Sequence, residues 1–94
     1  MAEPVDVVHQ PAQQRFAVSV DGVEAVLDYE QRAGVLCLTH TGVPQRIGGR
    51  GIGGELVRTA LDYARSKGLK VIPQCAYVAA YIERNPQYAD LVAR

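Results

Sequence analysis

Gly48-Gly49-Arg50-Gly51-Ile52-Gly53 runs without a break into Gly54-Glu55-Leu56-Val57-Arg58-Thr59-Ala60-Leu61-Asp62-Tyr63-Ala64. In that continuation Ile52, Leu56, Thr59, Ala60, Tyr63 and Ala64 recur at helical spacing, and Val57 and Leu61 widen the stripe. The spacing predicts an amphipathic helix over about residues 51–67, with Gly68 standing where a glycine commonly ends a helix. The glycines before it let main chain approach a ligand closely. The first turn of any helix also has N–H groups with no partner inside the helix. With Arg46 and Arg50 alongside, the segment suits an anion, phosphate above all.

Upstream, Phe16, Val18 and Val20 alternate within residues 15–20, Asp21-Gly22 makes a two-residue turn, and residues 23–30 are mostly apolar. This predicts a hairpin. Residues 31–34 read as a second turn and residues 35–41 as a third strand, whose apolar opening Val35-Leu36-Cys37-Leu38 predicts burial on both faces. Downstream, Leu69-Lys70-Val71-Ile72 is a short strand stopped by Pro73. Strand, glycine turn, helix and strand form one crossover unit, so the third and fourth strands are expected to be parallel. Residues 76–84 read as a second helix, Asn85-Pro86 interrupts it, and residues 88–92 add a closing helical turn. Residues 1–14, with Pro4 and Pro11, read as a lead-in that is partly mobile.

The chain has 94 residues, which suggests one domain with one small core. Ten basic and ten acidic residues cancel, so whole-chain charge points to neither nucleic acid nor an anionic membrane. Between Arg46 and Lys70, however, six basic residues face Glu55 and Asp62 alone, a local field that draws a polyanionic small molecule. Cys37 and Cys75 are too few for a disulfide framework and lack metal-ligand spacing. Met1-Ala2-Glu3-Pro4 does not start a signal peptide, and no apolar run approaches the roughly 18 residues of a membrane span. A cytoplasmic setting with free thiols, no membrane partner and no metal is the expectation.

Two common phosphate folds are excluded. Gly49-Arg50-Gly51-Ile52-Gly53-Gly54 lacks dinucleotide-fold spacing, and the next strand ends in Pro73-Gln74 with no carboxylate for a ribose. No Gly-Lys-Ser or Gly-Lys-Thr follows the glycines, so this is not the phosphate loop of nucleotide hydrolases. What remains is a pyrophosphate held by successive backbone N–H groups with arginine at the rim. Coenzyme A suits that arrangement.

The pattern resembles motif A of the GNAT superfamily of acyl-CoA-dependent N-acetyltransferases: a strand ending in a bulge, a Gln/Arg-x-x-Gly-x-Gly/Ala segment, then a helix. Gly51 and Gly53 match the two glycines. The Gln/Arg position falls on Gly48, which leaves Arg46 or Arg50 as substitutes. The chain is most similar to the compact GNAT-like family of N-acetyltransferase domain-containing proteins, from about residue 14 to 92. Leu38-Thr39-His40-Thr41-Gly42-Val43-Pro44, Pro73-Gln74-Cys75-Ala76-Tyr77-Val78 and Tyr81-Ile82-Glu83-Arg84-Asn85-Pro86-Gln87-Tyr88 carry the likeness.

The resemblance implies an α+β (or α/β) minimal GNAT-like fold: a small, mostly antiparallel sheet with a parallel β-α-β crossover and a C-terminal helix. It implies acetyl-CoA as co-substrate, its pantetheine arm between the third and fourth strands near Thr41, Gly42 and Val43. The pyrophosphate would lie over Gly48, Gly49, Arg50, Gly51, Ile52, Gly53 and Gly54, with Arg46 near. Compact members lack the extra elements that build the acceptor site in larger relatives.

Read as residues, His40 ends its strand, and an imidazole is a side-chain type suited to act as a base at neutral pH, although a packed strand histidine would look the same. Asp28 and Glu30 end a neighbouring strand; His9 lies in the lead-in and carries little weight. Cys75 follows the fourth strand and precedes a helix, where N–H groups favour a thiolate; its other reading is a small buried apolar side chain. The resemblance favours a functional cysteine there. Cys37 reads as core. Tyr77 and Tyr81, four apart, read chiefly as packing, with the channel wall as the alternative. The sequence therefore points to an acetyltransferase acting on a small or peptidyl amine. The alternative is a non-catalytic acyl-CoA-binding module; a nucleic-acid-binding domain is a distant third, given few aromatics and no recognised motif.

Overall fold

The structure, a computed structural model, describes residues 5–93; the expectations for the very start of the chain, no signal peptide and mobility, lie outside them. Strand β1 (Val8–Gln10) leads through a short 3-10 turn to β2 (Arg15–Val20), β3 (Val23–Arg32) and β4 (Val35–Gly42). Helix α1 (Ile52–Lys67), β5 (Lys70–Pro73), α2 (Ala76–Arg84) and a closing 3-10 segment (Pro86–Leu91) follow. The five strands lie in sequence order, three antiparallel pairings and then β4 parallel to β5. The expected crossover is therefore present.

Local chemistry sets these boundaries. Asp21 and Gly22 both take positive φ, 52° and 75°, the mirror-image turn that matches strand twist. Gly68 closes α1 in the left-handed region, its N–H shared between the carbonyls of Ala64 and Arg65. The apolar stripe of α1 then has one partner available. Leu56, Val57, Ala60, Leu61 and Ala64 are fully buried against Phe16, Val18, Leu27, Leu36, Leu38 and Val71 of the sheet. Val78 and Ile82 of α2 complete this layer. Truncating a side chain such as Leu56 to alanine there costs about 2–5 kcal/mol.

Three expectations differ from what is seen. The lead-in contributes β1, because Val8, His9 and Gln10 pair with Ala17, Phe16 and Arg15. The β3–β4 turn is only Ala33-Gly34, and β3 continues to Arg32. Burial of the third strand on both faces is overturned: both helices pack on one side. Cys37 is half-buried on the uncovered side, opposite Glu30 and beside Ile72, and is not a core residue. The molecule thus has two layers, with extents of 37 × 30 × 20 Å.

The C-terminal segment shields β5. Ala93 N–H donates to the Val71 carbonyl at 2.8 Å, and Arg65 of α1 holds Asp90 at 3.0 Å. Among the described residues, no helix is long and apolar enough to cross a membrane.

Candidate functional site

One extra residue in β4 organises the site. Leu38 pairs with Tyr29 and His40 with Asp28, so Thr39 has no partner of its own across the β3–β4 ladder. This is a β-bulge, in which two residues oppose one. The Thr39 hydroxyl donates to the Asp28 carbonyl at 3.2 Å and fixes it. Beyond the bulge the alternation is reversed. Thr41 now pairs with Leu27 and shares its helix-covered face, while His40 shares the open face with Asp28.

On its other side β4 loses its neighbour. The β4–β5 register ends at Leu38 and Pro73, and a last bond from Cys75 N–H to the Leu38 carbonyl spans 3.0 Å. From there β4 runs on to Gly42 while the other chain turns into α2. A cleft of about 400 Å³ opens in this region. Thr41 and Val43 line it after the bulge, Gly48, Gly49 and Gly51 from the glycine segment, Ile52 and Gly53 from α1, and Tyr77 from α2.

The glycine segment presents donors to this space. Gly51 caps α1 at φ 76°, a conformation costly for a residue with a Cβ, and its carbonyl accepts the first helical bond from Glu55 N–H at 3.1 Å. Among the described residues, the N–H groups of Gly49, Gly51, Ile52, Gly53 and Gly54 have no hydrogen-bond partner. A row of such groups at a helix N-terminus is an anion cradle. Gly53 has a second role, since a Cβ there would collide with the Tyr77 ring and hydroxyl. Gly54 backs onto Tyr81 and does not line the cleft.

Cys75 is the N-cap residue of α2, and its Sγ lies 3.5 Å from Thr41 Oγ1. Burial pushes the thiol pKa up, but hydrogen bonding by the Thr41 hydroxyl and by main-chain groups of Val78, Tyr77 and Thr41 outweighs it and holds the thiol below its ordinary value. The Sγ makes no close capping bond, so the α2 N–H groups act on it chiefly as oriented dipoles.

The remaining predicted residues are placed as follows. Gly42 lies on the open face, where the His40 ring fills the space its side chain would take. His40 is exposed on that same face, and the structure does not bring it to Cys75. Arg50 reaches the β2–β3 turn, its Nη1 2.7 Å from Asp21 Oδ2, and does not line the cleft. Arg46 is exposed in the 3-10 turn Gln45–Ile47 and, among the described residues, makes no ion pair. Glu30 pairs with Arg32, and His9 packs against Phe16 far along the sheet. Tyr81 packs against the core, whereas Tyr77 is 43% exposed and walls the cleft, the role the sequence ranked second. Among the described residues, no group of three or more His, Cys, Asp or Glu is arranged to hold a metal.

A β4 bulge, a β4–β5 gap and a glycine-capped helix at its mouth define a GNAT-like fold. The family described as GCN5-related N-acetyl-transferase matches residues 15–91. Protein NATD1 of Gallus gallus is 36% identical over 92 residues, covering 93% of this chain and 84% of that protein. Protein NATD1 of Homo sapiens is likewise 36% identical, with 93% and 81% covered. The solution NMR structure of a GCN5-like protein from Staphylococcus aureus superposes with a TM-score of 0.74 at 24% identity, over 94% of this chain and 87% of the other. The chain belongs to the GCN5-related N-acetyltransferase family.

Proposed function

We propose that this protein transfers an acetyl group from acetyl-CoA to an amine, small or peptidyl. The observation that carries this reading is a single cleft with unpaired N–H donors at one helix mouth and the Thr41–Cys75 pair beside it. Its volume of about 400 Å³ is within the range of small-molecule sites and suits part of a coenzyme A molecule, with the remainder lying in solvent. The N–H groups of Gly49, Gly51, Ile52 and Gly53 fit a pyrophosphate, with the exposed Arg46 near the segment. Each favourable helix-end interaction contributes roughly 0.3–1 kcal/mol, so several must act together.

In the transfer, the amine nitrogen bonds to the thioester carbon and gives up a proton, the carbon–sulfur bond breaks, and the departing thiolate takes up a proton, so that the proton count closes. We assign that proton to Tyr77, on the cleft wall, or to Cys75, which reaches the site through Thr41; His40 lies on the outer face and gets no such role. A reducing compartment such as the cytoplasm would keep both cysteines as thiols.

A second reading, a module that binds acyl-CoA without turning it over, is favoured by the uncovered sheet face. Among the described residues, no third layer walls off an acceptor pocket. Titration with acetyl-CoA followed by amide shifts tests both readings: saturable shifts at residues 49–54 are expected, and their absence would remove both. Free thiol release from acetyl-CoA, measured with a panel of amines, then separates them. Amine-dependent release above the uncatalysed rate supports the enzyme, and binding without release supports the module.

A further inference from the structure

The bulge at Thr39 has an effect on Cys75 that reaches beyond strand geometry. Regular alternation from Leu36 and Leu38 would turn residue 40 toward the helices and residue 41 away from them. The inserted residue reverses this, and a hydroxyl rather than an imidazole meets the thiol. We propose that Thr41 is a positioning residue for Cys75, which is not itself among the cleft-lining residues: Thr41 lines the cleft, holds the sulfur beside it and supplies the hydrogen bond that receives the negative charge when the thiol ionises. As a thiol, Cys75 donates to Thr41 Oγ1; once it is a thiolate, the hydroxyl rotates and donates to sulfur. A hydrogen bond to an ionised acceptor is roughly twice as strong as one between neutral groups, so the contact favours the thiolate.

Among side chains, the Thr41 hydroxyl makes the leading contact to this sulfur. The largest influences on Cys75 are burial, the Thr41 hydroxyl and then main-chain groups of Val78, Tyr77 and Thr41. On α2 the Tyr77 phenol lies two residues away, with Tyr81, Glu83 and Arg84 further along; β4 carries Cys37 and His40, both on the opposite face, and Lys70 of β5 is hydrogen-bonded to the Asp90 carbonyl. Thr41 itself is braced across the sheet by its pairing with buried Leu27. The consequence for turnover rests on the proposed acetyl-CoA reading; the effect on the thiol does not.

The test is the pH dependence of Cys75 alkylation by iodoacetamide, followed by mass spectrometry in a Cys37→Ala background. Thr41→Val, which keeps the shape and removes the hydroxyl, is expected to raise the midpoint by about one pH unit, tenfold less thiolate at a given pH. Thr41→Ser is expected to restore it. Thr41→Ala serves as a second hydroxyl-free variant should valine disturb the fold, as judged by circular dichroism. An unmoved midpoint in the folded hydroxyl-free variants, or a shift that serine does not reverse, would overturn the proposal. Loss of the acetyl-CoA reading shows up separately, as a parent chain that neither binds nor turns over acetyl-CoA while the midpoint still responds to Thr41.

Discussion

A Cβ built on Gly53 would stand 2.6 Å from the Tyr77 hydroxyl oxygen and 2.8 Å from the ring carbon that bears it. The second glycine of the motif thus leaves room for the Tyr77 ring of this chain, besides any close approach of a ligand. Gly53→Ala should push Tyr77 out of place and weaken acetyl-CoA binding by about tenfold. Stability should change little, because overpacking of about 1–3 kcal/mol is partly offset by the better helix propensity of alanine. Calorimetric titration of Gly53→Ala, Tyr77→Ala and the double variant checks this. The double variant should bind no worse than Tyr77→Ala alone; strictly additive losses would show that the two residues do not act on each other.

Cys75→Ala should lower amine acetylation by about 100-fold, in the range typical of a lost acid–base group, and leave acetyl-CoA affinity within about threefold. Initial rates of thiol release beside calorimetric titration make the comparison. Equal turnover in the variant would reduce Cys75 to a packing role.

His9 provides an acid-side dependence of stability. Its ring stacks on Phe16 at 4.3 Å, and Nε2 lies 2.6 Å from the Tyr29 hydroxyl, with Tyr63 edge-on. Burial holds its pKa below the ordinary 6.5. Above that pH both folded and unfolded chains carry a neutral ring, so nothing changes. Below it the unfolded chain binds a proton that the folded chain resists, and stability falls as the pH drops. Urea midpoints at pH 7.5 and 5.5 should differ more for the parent than for His9→Gln. An equal loss in both chains would place the acid sensitivity elsewhere.

Tyr88 gives the alkaline counterpart. Burial, and then its hydrogen bond of 2.9 Å to the Asp62 carboxylate, push its pKa up to about 12. The folded chain keeps this proton more tightly than the unfolded one. Its contribution is therefore complete below pH 10 and is lost as the pH rises from about 10 to 12. Spectrophotometric titration of the phenols should find Tyr88 the latest of the raised group, which also includes Tyr29 and Tyr81, and should find it moved earlier in Asp62→Asn. A late group unaffected by that change would point to burial alone.

How much of this was legible in the sequence depended on the range of the interaction. The α1 stripe from Ile52 to Ala64, the Asp21-Gly22 turn and the C-terminal Gly68 are local signals, and each element lies close to its expected bounds. The three-residue strand β1 was not legible, because Val8-His9-Gln10 is too short to show a period and gains its order from pairing with β2. Cys37 sits in an apolar run that reads the same whether one face or two are covered. The bulge was the largest gap for the site. Thr39, His40 and Thr41 look like ordinary alternation, and only the pairing with β3 shows that one residue is surplus. That single slip exchanges the outlooks of His40 and Thr41. It explains why a base was expected at a position that faces away from Cys75. Tyr77 likewise read as packing, since its i,i+4 relation to Tyr81 does not reveal that a missing side chain at Gly53 receives it.

A body only 20 Å through its shortest axis cannot bury a reaction at the end of a tunnel. Bulk water reaches a shallow groove in such a slab from the side, and so does any visitor, however large. On the proposed acetyl-transfer reading, selectivity toward the visitor would then come from its reactive tip and from contacts outside the slab more than from size exclusion.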